Sequence, residues 1–160
     1  MPSLPPEWIE HFSAGVAYRL GSCDAEGRPG ICRAQAALAL PGGRVRVLVT
    51  RWSGPDVLDA IAATRQVALV MPLPENLRTL HLKGRDARVE LAEPGDEELV
   101  LQRRQAFTDQ LVPLGYPVDA ILQGWYALGE GELHRITFTI SGAWNQSPGP
   151  GAGGIVELLP

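Results

Sequence analysis

Polar and apolar residues alternate through the stretch 78–85, and this alternation constrains the fold more than any other feature of the sequence. The order is Arg78, Thr79, Leu80, His81, Leu82, Lys83, Gly84 and Arg85. A two-residue period is the pattern of a β-strand with one apolar and one polar face. The apolar face predicts a strand that packs on the core. The polar face is either solvated or lines a site for an anionic or hydrogen-bonding ligand.

Other short stretches also have the composition of strands. The predicted strands cover residues 15–22, 31–40, 44–50, 66–71, 78–85 and 132–144. Turn residues at Asp24–Gly30 and Pro41–Gly43 join the first three, which predicts an antiparallel meander. The stretch 66–71 is almost continuously apolar, so we expect both of its faces to be buried.

Short helical patterns separate these strands. The predicted helices cover residues 5–12, 57–63, 97–111 and 117–125. A chain of 160 residues with no internal repeat and no linker predicts one domain. We therefore expect residues 1–160 to form a mainly β barrel, with a short N-terminal helix and a Gly/Pro-rich tail from Ser147 onward.

Composition and charge exclude several functions. The net charge of −4 argues against nucleic acid as the main partner, because phosphate neutralisation needs a basic patch. Arg44, Arg46 and Arg51 are close in sequence, but the valines between them indicate a solvated strand face. No apolar run is long enough to span a membrane, and the N-terminus lacks the pattern of a signal peptide. We expect a cytoplasmic protein that does not bind membranes.

No metal site or nucleophile is predicted. The three histidines, at positions 11, 81 and 134, are far apart in sequence and are expected at the surface or at its boundary. A symmetric hairpin would bring Cys23 opposite Cys32, but in a cytoplasmic chain we expect two reduced thiols rather than a disulfide. The common phosphate-loop, dinucleotide, hydrolase and zinc-protease motifs are absent.

The order of several weak motifs is more specific than any one of them. They are Gly21–Asp24, Glu26–Pro29, Leu48–Thr50, Arg65–Val70 and Leu77–Arg85. In this order they resemble the pyridoxamine 5′-phosphate oxidase-like family, the FMN-binding split barrels. The stretch 138–153, which includes Trp144–Gly153, is similar to the C-terminal signature of an uncharacterised branch of that family. The resemblance runs from about Phe12 onward and implies a six-stranded antiparallel Greek-key split barrel.

The resemblance also implies a cofactor and an assembly. Members form homodimers that hold FMN at the interface, so it implies an FMN-binding flavoprotein, an oxidoreductase of unassigned substrate, with the site between two copies. The cofactor-binding residues that it implies are Arg33, Val49, Thr50, Ser53, Thr79, His81 and Lys83. Cations, hydroxyls and backbone N–H groups suit a phosphate that carries about two negative charges. No catalytic acid or base is implied.

One segment departs from the family pattern. Members that bind FMN tightly often have basic residues after the third strand, whereas this chain has Gly54-Pro55-Asp56, and Arg33, Arg51 or Lys83 would have to compensate. This departure leaves alternatives open: a non-catalytic dimeric split barrel with weak or no flavin binding, or one that binds a deazaflavin or haem. The tail is expected either to wrap the partner subunit or to cap its own chain.

Overall fold

The computed structural model describes residues 2–125 and 131–160, which form two antiparallel sheets around one core. The strands are β1 (Tyr18–Cys23), β2 (Pro29–Ala34), β3 (Ala36–Leu40), β4 (Arg44–Thr50), β5 (Val67–Pro72), β6 (Thr79–Gly84), β7 (Arg88–Leu91), β8 (Leu133–Thr139), β9 (Gly142–Asn145) and β10 (Gly154–Ile155). The helices are α1 (Pro6–His11), α2 (Pro55–Thr64), α3 (Asp96–Leu111) and α4 (Val118–Ala120). A 3₁₀ turn covers Val112–Leu114, and a π-helical turn covers Ile121–Trp125.

The six-stranded sheet has the order β10-β9-β6-β5-β1-β2, and the four-stranded sheet has the order β3-β4-β8-β7. The alternating stretch of the sequence becomes β6, between β5 and β9. Its leucines, Leu80 and Leu82, are fully buried in the core. On the same side, a Cβ at Gly84 would overlap the ring of Phe138 from the facing sheet. The expected split barrel is confirmed, although its two sheets contain more strands than the six expected.

Two predicted strands are each divided between the sheets. The stretch 31–40 breaks at Gln35, so that β2 lies in the six-stranded sheet and β3 in the four-stranded sheet. The predicted meander of three consecutive strands is therefore wrong. The stretch 132–144 breaks at Ile140 and Ser141 in the same way, between β8 and β9. The first stretch is alanine-rich on both sides of its break, and the second alternates up to Ser141, so neither pattern shows where the chain passes from one sheet to the other.

Two burial predictions were also wrong. β5 alternates between buried and half-buried residues instead of being buried on both faces. His11, expected near the surface, is buried, and its Nε2 lies 2.8 Å from the carbonyl oxygen of Met71. Burial lowers the pKa of His11, with a smaller lowering from the charge of Arg78.

The Gly/Pro-rich tail packs on its own chain. β10 pairs with β9, Val156 enters the core, and Leu159 pairs with Ser3 near the N-terminus. The tail thus has the contacts expected of a cap on its own subunit. No helix in the described part of the chain is both long enough and apolar enough to cross a membrane.

Candidate functional site

The outward face of the six-stranded sheet carries the polar residues of β6. One cross-strand row runs through Arg33, Arg19, Val70, His81 and Trp144. The adjacent row runs through Ile31, Gly21, Ala68, Lys83 and Gly142. Neighbouring residues in a row lie on adjacent strands, so each row spans five strands of the sheet.

The second row forms the floor of a cavity of about 570 Å³. Gly21 and Ala68 make the middle of the floor, with Ile31 on one side and Lys83 on the other. A Cβ at Gly21 would be in ordinary van der Waals contact with the carbonyl oxygen of Gly30, at 3.4 Å. Small residues keep this surface shallow and flat, which suits a planar ligand with a negatively charged group near Lys83.

An aromatic ring lies beside Lys83, one of the residues that line this cavity. The Lys83 Nζ lies 5.3 Å from the Trp144 ring centroid, and the rings of His81 and Trp144 are 5.5 Å apart. The indole lies across Gly142, because a Cβ at that position would overlap it. Burial lowers the pKa of His81, and the nearby charge of Lys83 lowers it further. His81 is therefore biased towards the neutral form, which can both donate and accept a hydrogen bond.

A second group of the predicted residues lies where β4 ends. Thr50 is buried, and its Oγ1 has no hydrogen-bond partner among the described residues. Its backbone N–H donates to Gln35 Oε1 over 3.1 Å, which ties the break between β2 and β3 to the end of β4. The Ser53 hydroxyl donates to the Arg33 carbonyl oxygen over 2.6 Å. Val49 has its side chain in the core, so only its backbone is available to a ligand.

The segment that replaces the basic residues of the family is tightly packed. A Cβ at Gly54 would lie 2.5 Å from Cys32 Sγ, so the backbone here presses against β2. Arg51, one of the three residues considered as a replacement for the missing cations, pairs with Asp59 on α2 over 2.8 Å. The positive charge of Arg51 is thus partly neutralised within its own chain.

The structure does not bring all seven predicted residues into one cluster within a single chain. Arg33 and His81 share a row but are three strands apart, which corresponds to roughly 14 Å at the usual strand spacing. Thr79 uses its polar atoms internally: its hydroxyl donates to the Leu77 carbonyl oxygen, and its N–H donates to Ser147 Oγ. His81 and Lys83 remain the residues of β6 that border the open face.

Sequence reasoning missed three residues of this region. Trp144 borders Lys83, Gly21 forms the cavity floor, and Gln35 binds the end of β4. A tryptophan in the C-terminal signature was a usable signal, since aromatic residues are enriched where ligands bind. The role of Gln35 could not be predicted, because a polar residue in an alanine-rich stretch does not indicate which backbone group its side chain will bind.

The two cysteines are free thiols and face opposite sides of the sheet. Cys32 faces the core, while Cys23 lines the cavity and lies opposite Pro29 instead of Cys32. Burial raises the pKa of the Cys32 thiol to about 11, so it stays protonated. In residues 2–125 and 131–160, no group of three or more metal-ligating side chains is close enough to hold an ion.

Solved structures with a similar fold cover most of this chain. HupZ from Group A Streptococcus superposes with a TM-score of 0.57 at 11% identity, covering 94% of this chain and 100% of its own. A candidate pyridoxamine 5′-phosphate oxidase from Lactobacillus delbrueckii has a TM-score of 0.51 at 15% identity, with 89% and 93% coverage. The chain has the split-barrel fold of the pyridoxamine 5′-phosphate oxidase-like proteins.

An F420 reductase has the same split-barrel fold, with a TM-score of 0.52 at 17% identity and coverage of 88% and 98%. No family model matches the sequence, and a search of curated proteins finds no match either. These identities are low, so the similarity concerns the split-barrel fold. The function of this split barrel has to be argued from its own residues.

Proposed function

We propose that this split barrel binds FMN on the outward face of its six-stranded sheet and acts as a flavin-dependent oxidoreductase. The observation that carries the proposal is the flat floor of Gly21 and Ala68 with Lys83 at its edge. A planar aromatic ring can lie on small residues, and a cation beside it favours the electron-rich or anionic part of the ligand. Trp144 adds an aromatic surface next to this floor.

The end of β4 supports the same proposal. The Thr50 Oγ1 is a buried hydroxyl without a partner, and such a group is stabilised when a ligand supplies one. Ser53 lies next to Thr50, since its N–H donates to the Thr50 carbonyl oxygen, and its hydroxyl bonds to the backbone of Arg33. In the proposed site Ser53 contributes a hydroxyl oxygen, and Arg33 contributes a cation from the outward face of β2. We therefore assign the cofactor contacts to Arg33, the backbone of Val49, Thr50, Ser53, His81 and Lys83. Thr79 is kept as a residue that supports β6.

We further propose that the functional unit is a homodimer with the cofactor at the interface. The outward face of the six-stranded sheet exposes 71% of Ile31 and 76% of Ile155, although both are apolar. A second copy on this face would bury both residues and would supply cofactor contacts that one chain keeps three strands apart. A cytoplasmic location belongs to the same proposal, and the two free cysteines support it.

In this proposal, the bound cofactor and the residues around it have separate roles. A bound flavin supplies the hydride chemistry, while the protein binds it, orients it and excludes water. Lys83 stabilises negative charge, and the neutral form of His81 offers one hydrogen-bond donor and one acceptor. The substrate stays unassigned.

A deazaflavin is the second candidate. Arg51 is partly neutralised by Asp59, and Gly54-Pro55-Asp56 offers no cation, so fewer positive charges are available to a terminal phosphate here than in a family member with basic residues at this position. The shared fold with an F420 reductase makes that class of ring a reasonable competitor. Both ligands would use the same flat floor.

The test is an absorption spectrum of the purified protein before and after addition of FMN and desalting, repeated with F420 on a separate sample and followed by sedimentation analysis. A flavin spectrum that survives desalting, together with a dimer, supports the proposal. A protein that releases FMN but retains F420 moves the assignment to the deazaflavin. A protein that retains neither ring contradicts the cofactor site and leaves a non-catalytic barrel.

A further inference from the structure

The outer face of the four-stranded sheet contains a second cavity, of about 490 Å³, far more polar than the first. Four arginines from three strands line it: Arg44 and Arg46 on β4, Arg88 on β7 and Arg135 on β8. Cross-strand pairing places Thr137 between Arg46 and Arg88, and Thr139 opposite Arg44. Two arginines of the predicted solvated strand thus take part in a shaped surface.

Two of these arginines are held rigidly by carboxylates. Arg46 pairs with Asp96 over 3.0 Å and with Glu93 over 3.5 Å. Arg135 pairs with Glu90 over 3.4 Å and also with Glu93. These ion pairs link the sheet to the start of α3 and fix the positions of both guanidinium groups.

The other two arginines have no such partner. Among the described residues, no carboxylate lies within ion-pair distance of Arg44 or Arg88. In the described part of the chain, the only hydrogen bond of the Arg44 guanidinium is a long one, 3.5 Å, from its Nε to the Pro41 carbonyl oxygen. Two guanidinium groups therefore border the cavity with their donors available to a ligand.

Buried donors in the same cavity point to a ligand independently. The Nε atoms of Arg46 and Arg135 are buried and have no acceptor among the described residues. A buried N–H without an acceptor is costly, because it has lost water without gaining a partner. Arg46 and Arg135 both line this one cavity, next to the available guanidinium groups and the Thr137 hydroxyl, while the Thr139 side chain already hydrogen-bonds to Asp86.

We propose that this cavity binds a single phosphate or carboxylate group of a small ligand. Guanidinium groups and hydroxyls match the geometry of such oxyanions. Asp86, Glu90 and Glu93 also line the cavity, and their negative charges oppose a polyanion such as a nucleic acid. This cavity and the proposed flavin site lie on different sheets, so each proposal can be tested and rejected without affecting the other.

The test is titration of ¹⁵N-labelled protein with inorganic phosphate, and separately with acetate, at constant ionic strength. We expect saturable shifts of the amide resonances of Arg88, Thr137 and Thr139. Arg88→Gln and Arg44→Gln should each weaken phosphate binding at least about fivefold, and Arg88→Lys should weaken it less. Both side chains are exposed, so these variants should keep the wild-type spectrum elsewhere.

Arg28→Gln is the matched control, since it removes one positive charge from a side chain that is 74% exposed in the β1–β2 hairpin. Equal weakening by Arg28→Gln would show only a general charge effect and overturn the proposal. The absence of saturable shifts up to roughly 10 mM phosphate, the weak end of small-ligand affinity, would overturn it as well. Binding of an oligonucleotide more tightly than phosphate would contradict the restriction to a single anionic group.

Discussion

The Nζ atom of Lys83 lies 5.3 Å from the centroid of the Trp144 ring, at the edge of the Gly21–Ala68 floor. If an anionic ligand binds on this floor, Lys83 contributes a charge-assisted contact. We expect Lys83→Ala to weaken FMN binding by about 1–3 kcal/mol, measured by calorimetric or fluorescence titration. Arg28→Ala, which removes an exposed arginine that does not line this cavity, should leave FMN affinity unchanged. Equal affinities of wild type and Lys83→Ala would remove Lys83 from the site.

Removal of the unpaired hydroxyl of Thr50 should have opposite effects on stability and on ligand binding. Thr50→Val keeps the shape of the side chain and removes a buried polar atom without a partner. Without ligand, it should be as stable as wild type or about 1 kcal/mol more stable in urea unfolding. With FMN, it should bind more weakly by about 1–3 kcal/mol, while Thr50→Ser should bind nearly normally. A large loss of stability without ligand would mean that the hydroxyl already has a structural partner.

Gly84 is required where β6 faces the other sheet. A Cβ there would overlap the Phe138 ring, so we expect Gly84→Ala to lower the free energy of unfolding by about 1–3 kcal/mol. Gly151→Ala is the control, because a Cβ there would meet only Asn145 Nδ2 at 3.7 Å. Phe138→Leu should recover part of the loss when combined with Gly84→Ala, since the two positions are in contact. Strict additivity of the two changes would argue against this contact.

His11 should make the fold sensitive to acid. Its pKa is lowered in the native state, mainly by burial, so the unfolded chain takes up a proton first as the pH falls. Its contribution to stability is therefore present above the unfolded pKa of about 6.5 and is lost as the pH falls below it. His11→Gln should flatten the dependence of unfolding free energy on pH between about 7 and 5. The pKa of His81 is lowered too, so His81→Gln serves as the comparison and should flatten the profile separately.

Elements set by local patterns were predicted closely. Arg44–Thr50 forms β4 with the expected bounds, and α2 and β6 lie where turn residues and alternation indicated. α3 also lies as expected, but its buried face contains Val100 and Phe107, while Leu101 is 51% exposed. The spacing of the apolar residues along α3 is compatible with more than one buried face. Packing of Val100 against β3 and β4 determines which face is buried.

The candidate site was predicted only in part. Alternation alone assigned His81 and Lys83 to the outward face of β6. Gln35, whose side chain accepts the Thr50 N–H, had no recognisable signal, because its role depends on a residue 15 positions later. The pairing of Arg51 with Asp59 could not be predicted either, because it depends on how the chain folds between β4 and α2.

Sequence patterns alone were enough to predict most of the strands and the apolar faces of β4 and β6, but not β7, β10 or the half-exposed face of β5. These properties depend on neighbours within a few residues, through the two-residue period of strands and the conformational limits of glycine and proline. Only the tertiary structure decided that strands break at Gln35 and Ile140, and that Arg33 and His81 lie three strands apart. Strand order and register depend on which distant segments pair, and a local period is equally compatible with many pairings.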